Sequence, residues 1–127
     1  MKYPYKGYFD GSSKPNPGMM KVGGYIENPD GRRITEIYSN EGYGTNNRAE
    51  YLAITFILQE AIDLGIREIE IYGDSKLVVN QVNGIWKSNK DMTPYKLEVQ
   101  SLLESFDKWS LSWIKRELNS EADALTR

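Results

Sequence analysis

The chain has 127 residues with 16 Lys and Arg against 18 Asp and Glu, a formal net charge of −2, and neither His nor Cys. That length suits one domain over residues 1–127, with 39% hydrophobic residues to fill a core. Without imidazole or thiolate, acyl-transfer triads and nitrogen- and sulfur-rich zinc sites are largely excluded, and the near-neutral charge argues against coating a polyanion through a bulk field.

The elements follow in chain order. Tyr3 to Asp10 reads as a strand by its aromatic content and alternation, with Asp10 at its end. Gly11 to Gly18 is dense in turn residues, Met20 to Ile26 is a second strand, Asn28-Pro29-Asp30-Gly31 a turn, and Arg33 to Ser39 a third strand, giving an antiparallel meander. From Asn46 to Leu64 the period becomes helical: Ala49, Leu52, Ala53 and Phe56 form one stripe, and Glu50, Ile54, Ile57 and Ala61 another. A helix apolar on nearly every side packs deeply against a sheet; Thr45 or Asn46 can cap its start and Gly65 its end. Ile66 to Tyr72 is a buried strand, followed by Gly73-Asp74-Ser75 and a short helix from Lys76 to Asn83. Trp86 to Asp91 is a polar connection, Thr93-Pro94 starts a helix through Phe106, Leu111 to Ile114 is a fifth strand, and Asn119 is expected to cap a last helix carrying Asp123. The order β-β-β-α-β-α-α-β-α implies an α/β fold with a mixed sheet flanked by helices.

Asp10 and Asp74 are expected at strand ends, Glu50 and Asp123 in first helical turns, so all four can converge at one end of the sheet. Glu50 shares its stripe with Ile54, Ile57 and Ala61, and an ionised carboxylate on an apolar face needs a cation or strong donors nearby. Taken singly, each acid is an ordinary cap, turn or surface residue, and Glu50 has a helix-dipole reading as well. Together they form an all-oxygen ligand set suited to Mg²⁺ or Mn²⁺. The longest apolar stretches are only a few residues and the N-terminal segment lacks a signal core, so a soluble, cytoplasmic protein with no membrane partner, acting as a monomer, is expected.

The blocks D-G-S-S-K-P-N-P-G, T-N-N-R-A-E-Y, Y-G-D-S-K-L-V-V-N-Q-V-N-G-I-W and R-E-L-N-S-E-A-D-A-L, from Tyr8 to Leu125, resemble in order the successive blocks of type 1 ribonuclease H. The resemblance implies the ribonuclease H fold, a five-stranded mixed sheet whose first three strands are antiparallel. It also implies endonucleolytic hydrolysis of the RNA strand of an RNA/DNA hybrid, leaving 5′-phosphate and 3′-hydroxyl ends. On the same resemblance, Asp10 bridges two Mg²⁺ ions, Glu50 and Asp74 hold the ion beside the leaving 3′-oxygen, and Asp123 holds the ion that activates the attacking water. Mn²⁺ is expected to substitute. Ser12, Ser13, Asn16, Asn46 and Asn47 are implied contacts of the hybrid's minor groove, and Thr45 resembles the hydroxyl of a phosphate pocket in which Tyr43 stands where some members carry Arg.

Two departures from the family pattern matter. The His that many members place before the last helix is missing, and the short connection Lys115-Arg116-Glu117-Leu118 resembles relatives that use Arg instead, which makes Arg116 the candidate substitute. The basic protrusion of many members is also reduced, to Trp86 to Asp91 with Lys87 and Lys90, which predicts weak, salt-sensitive hybrid binding. Trp86 is expected to be a buried anchor, with stacking on the DNA strand's sugar as the alternative. Two further readings stand beside the hybrid nuclease: a nuclease of this fold acting on other nucleic-acid structures, and a weak or silent hybrid-binding module.

Overall fold

The computed structural model describes residues 4–127. Five strands form one mixed sheet in the spatial order β3-β2-β1-β4-β5: β1 (Tyr5–Ser13), β2 (Gly18–Glu27), β3 (Arg33–Gly44), β4 (Glu68–Gly73) and β5 (Lys108–Trp113). β1, β2 and β3 form the antiparallel meander, whereas β4 runs parallel to both β1 and β5. The helices are α1 (Asn46–Asp63), α2 (Lys76–Val82), α3 (Thr93–Leu103) and α4 (Ser120–Ala124), with a 3₁₀ turn at Arg116–Asn119.

The mixed sheet and the element order agree with the sequence reading, and several boundaries move. Tyr3, expected at the start of the first strand, lies outside the described residues. β1 does not end at Asp10: it continues through Ser13, because β2 keeps pairing with it as far as Ser13↔Met20. Its parallel ladder with β4 does stop there, at Phe9↔Gly73. β3 likewise runs five residues past Ser39, to Gly44, carried by its pairing with β2.

α1 lies across one face of the sheet. Its Ile54, Ile57 and Leu58 are fully buried, and burial of each such side chain stabilises the fold by roughly 2 kcal/mol. A Cβ on Gly24 would lie 2.4 Å from the Tyr8 carbonyl oxygen and 2.8 Å from Ile57 Cδ1 of the helix, so only glycine fits that strand position. Thr45 caps α1 as expected, its Oγ1 accepting from the Arg48 N–H at 3.2 Å. Thr93 does not cap α3; it sits inside the helix and donates its hydroxyl to the Asn89 carbonyl at 2.7 Å. The opposite face of the sheet is covered by α4 only near the Asp10 end, where Gly23 meets Ala122 and Leu125.

Candidate active site

The register of the parallel ladder sets the site. Because Phe9 pairs with Gly73, the next residue of each strand, Asp10 and Asp74, emerges side by side at the same edge of the sheet. Gly73 is required at this crossing, since a Cβ there would lie 2.3 Å from the Phe9 ring. Asp74 is held by its own backbone carbonyl, which accepts from Trp113 Nε1 at 3.1 Å, and by the helix that Ser75 caps through Val78 N–H at 3.2 Å.

α1 brings the third acid. Glu50 lies beyond the first turn of the helix, so the dipole reading fails for it. Its Oε1 accepts from the Gly11 N–H. A Cβ on Gly11 would fall 2.3 Å from the Ala49 carbonyl, so the strand and the helix touch backbone to backbone at this point. Carboxylate oxygens of Asp10, Glu50 and Asp74 all lie within 4.8 Å of one another.

Asp123 stands alongside this trio. Its Oδ2 lies 2.8 Å from Arg127 Nη2 and its Oδ1 3.9 Å from Arg116 Nη2. The Asn119 side chain does not cap α4, contrary to expectation. It is completely buried, and its Nδ2 donates to the Phe9 carbonyl at 2.9 Å, tying the entry of α4 to β1 one residue before Asp10.

The electrostatics follow from this crowding. Burial, and then the neighbouring Asp74 carboxylate, push Asp10 up to about 7. Burial and the Asp10 charge raise Glu50 well above the carboxylate range, against the pull of the Gly11 N–H. Burial raises Asp74 too, opposed by the Arg116 cation. Asp123 moves down instead, because Arg127 donates to it. Glu50 Oε2 and Asp74 Oδ2 are both buried without a hydrogen-bond partner. A hard divalent cation fits this arrangement: it prefers oxygen ligands, neutralises the mutual repulsion and gives the orphaned Glu50 and Asp74 oxygens a partner.

A cavity of about 370 Å³ opens over the acids, lined among others by Ser12, Ser13, Lys14, Asn46 and Arg116. Two side-chain amides fix its rim: Asn46 Oδ1 accepts from the Ser13 N–H at 2.6 Å, and Asn16 Oδ1 from the Asn46 N–H at 3.1 Å. Asn16 itself, Asn47, Thr45 and Trp86 do not line it. Trp86 is 46% exposed, not a buried anchor, because Gly84, at φ +80°, ends α2 and turns the following residues outward. The sequence reading missed three participants: the Gly11 N–H, the buried Asn119 amide and Arg127. Only Arg127 left a signal, its position four residues after Asp123.

Residues 8–127 match a family profile described as reverse transcriptase-like. A protein called ribonuclease HI from Halobacterium salinarum is 41% identical over 119 residues, 93% of this chain and 60% of the relative. A bifunctional protein of Mycobacterium tuberculosis is 35% identical over 118 residues, which cover 91% of this chain and 32% of that protein. The chain thus spans only part of the length of these relatives. Among solved structures, RNase H1 from Halobacterium salinarum superposes with a TM-score of 0.93 at 40% identity, covering 97% of this chain and 94% of the other. An RNase H1 crystallised in complex with an RNA/DNA hybrid gives a TM-score of 0.89 at 28% identity, covering 95% of this chain and 92% of that one. In sequence and in fold alike, the chain belongs to the type 1 ribonuclease H family.

Proposed function

We propose that the chain is an endonuclease that hydrolyses the RNA strand of RNA/DNA hybrids, leaving 5′-phosphate and 3′-hydroxyl ends. The observation that carries the reading is the buried trio Asp10, Glu50 and Asp74 with two orphaned carboxylate oxygens. Together with Asp123 these residues would hold two Mg²⁺ ions, with Mn²⁺ able to replace them. Divalent cations bound there would supply the positive charge that stabilises both the entering and the leaving oxygen of an in-line displacement at phosphorus.

The protein's own part is to hold the acids and position the strand. The Gly11 N–H, the Trp113 indole and the Asn119 amide fix the backbone and side chains that carry the carboxylates. Asn16 and Asn46 spend their oxygens on the rim, which leaves their Nδ2 groups as donors. With Ser12 they would read 2′-hydroxyls, the groups that separate RNA from DNA. Arg116, exposed and lining the cavity, would meet a phosphate of the strand. The hybrid seen bound to a structural relative supports the substrate class. The test is cleavage of a matched panel of labelled hybrid, duplex RNA and duplex DNA with Mg²⁺ or with excess chelator. Cutting confined to the RNA strand of the hybrid and lost in chelator is expected, and undiminished cutting in chelator would end the metal-dependent account.

A further inference from the structure

Beside the carboxylate site, on the far side of Ser12, a second cleft of about 240 Å³ is lined by Ser12, Lys14, Met19, Lys21, Thr126 and Arg127. Its charged lining is entirely cationic, in a chain whose acids outnumber its bases. The two hollows share Ser12 and Lys14 in their linings, so they adjoin one another at those residues. Lys21 pairs with Ser12 across the β1–β2 ladder and lies two residues from Gly23, the partner of Asp10, so strand alternation puts it on the Asp10 face of the sheet. Thr126 closes the junction, its hydroxyl 3.4 Å from Asp10 Oδ2 and 2.7 Å from the Asp123 carbonyl. Neither Lys14 nor Lys21 has a carboxylate partner among the described residues.

We propose that this cleft is a subsite for a phosphodiester of the strand being cut, one that lies beyond the phosphate at the carboxylates, with Lys14 and Lys21 as its cationic walls. The inference rests on the nuclease reading. Two unpaired ammonium groups on a concave surface retain their charge for a ligand, and phosphate is the anion that a nucleic-acid strand offers at regular intervals. Because the cleft adjoins the cavity over Asp10 at Ser12 and Lys14, with Thr126 between the cleft and Asp10, the backbone nearest to it is that of the strand held at the acids. The cleft also offsets the reduced basic protrusion after α2, since it supplies phosphate contacts on a different side of the site.

The test measures hybrid binding by fluorescence anisotropy over a range of NaCl concentrations. It uses the full chain carrying Asp10→Asn, so that the hybrid stays intact, with Lys14→Ala, Lys21→Ala or both added. Lys14→Gln and Lys21→Gln serve as second variants that keep side-chain bulk. Each substitution should lower the slope of log affinity against log salt by about 1, the signature of one lost phosphate contact. A neutral methylphosphonate placed in the RNA strand should weaken binding at one position next to the cut for the parent, and have no effect there for the double variant. Unchanged slopes in all the lysine variants, or coupling to a neutral linkage in the DNA strand, would overturn the subsite. If those slopes are unchanged while the wild-type chain still cuts the hybrid, only the subsite fails. A chain that neither binds nor cuts hybrid removes both.

Discussion

Arg127 Nη2, just past the end of α4, lies 2.8 Å from Asp123 Oδ2, and this contact separates the fourth acid from the other three. The guanidinium holds Asp123 below the usual carboxylate range while burial and mutual repulsion raise Asp10, Glu50 and Asp74. Replacing Arg127 by Ala should therefore expose Asp10 to an uncompensated neighbour. The pair joins an exposed guanidinium to a buried carboxylate and is worth on the order of 1 kcal/mol, so the metal-free protein should melt about 3 °C lower. The Mg²⁺-induced rise in Tm should grow, because the site is now more negative. An unchanged rise would show that Asp123 does not act on the other acids.

Asp10→Asn should abolish cleavage and stabilise the metal-free fold at pH 8. The sign follows from the direction of the shift: Asp10 rises from 3.8 to about 7 on folding, so the folded state binds the proton more tightly than the unfolded one. Stability of the metal-free protein is then highest at acid pH and falls as pH climbs from about 4 to 7. Thermal melts in chelator at pH 5 and pH 8 should show the wild type losing more Tm than Asp10→Asn over that interval. Equal losses would mean that Asp10 carries no penalty in the bare site.

Divalent cations should reverse this penalty. A cation that binds only the folded state stabilises it by RT ln(1 + [L]/Kd), about 1.4 kcal/mol at tenfold excess over Kd. The Mg²⁺-induced rise in Tm should be larger at pH 8 than at pH 5, where protons compete for Asp10 and Glu50, and Glu50→Gln should remove most of it. A rise that persists in full in Glu50→Gln would place the cation elsewhere.

Gly11→Ala tests the backbone contact under the site. The added Cβ would meet the Ala49 carbonyl at 2.3 Å and the Glu50 nitrogen at 2.5 Å, and neither is a flexible side-chain tip. Strand and helix must separate, with a loss of about 1–3 kcal/mol as for overpacked cores. The Glu50 carboxylate should shift away from Asp10 with them. Expected are a lower Tm and loss of Mg²⁺ binding in a calorimetric titration at a temperature where the variant is fully folded. Normal Mg²⁺ binding by the folded variant would show that this contact does not set the position of Glu50.

Composition and short-range spacing already carry the alphabet of the site and most of the fold. The lack of His and Cys left carboxylates as the chemistry, the change from alternating to helical period placed α1, and its apolar circumference put it against a sheet with Glu50 beneath. Those are local properties, written in short-range spacing. Which acids touch was decided by the tertiary structure. The Phe9↔Gly73 pairing joins two strands far apart in the chain, and only that register sets Asp10 beside Asp74. The same holds for the length of β1, which depends on where β2 lies, and for Asn119, whose spacing suggests a cap but whose burial against the Phe9 carbonyl makes it a clamp. Trp86 shows the reverse: its apolar ring suggested burial, and a left-handed glycine two residues earlier turned it to the surface. The lysine-lined cleft was invisible in the sequence for the same reason, since Lys14, Lys21 and Arg127 converge only when the hairpin and α4 share one face of the sheet.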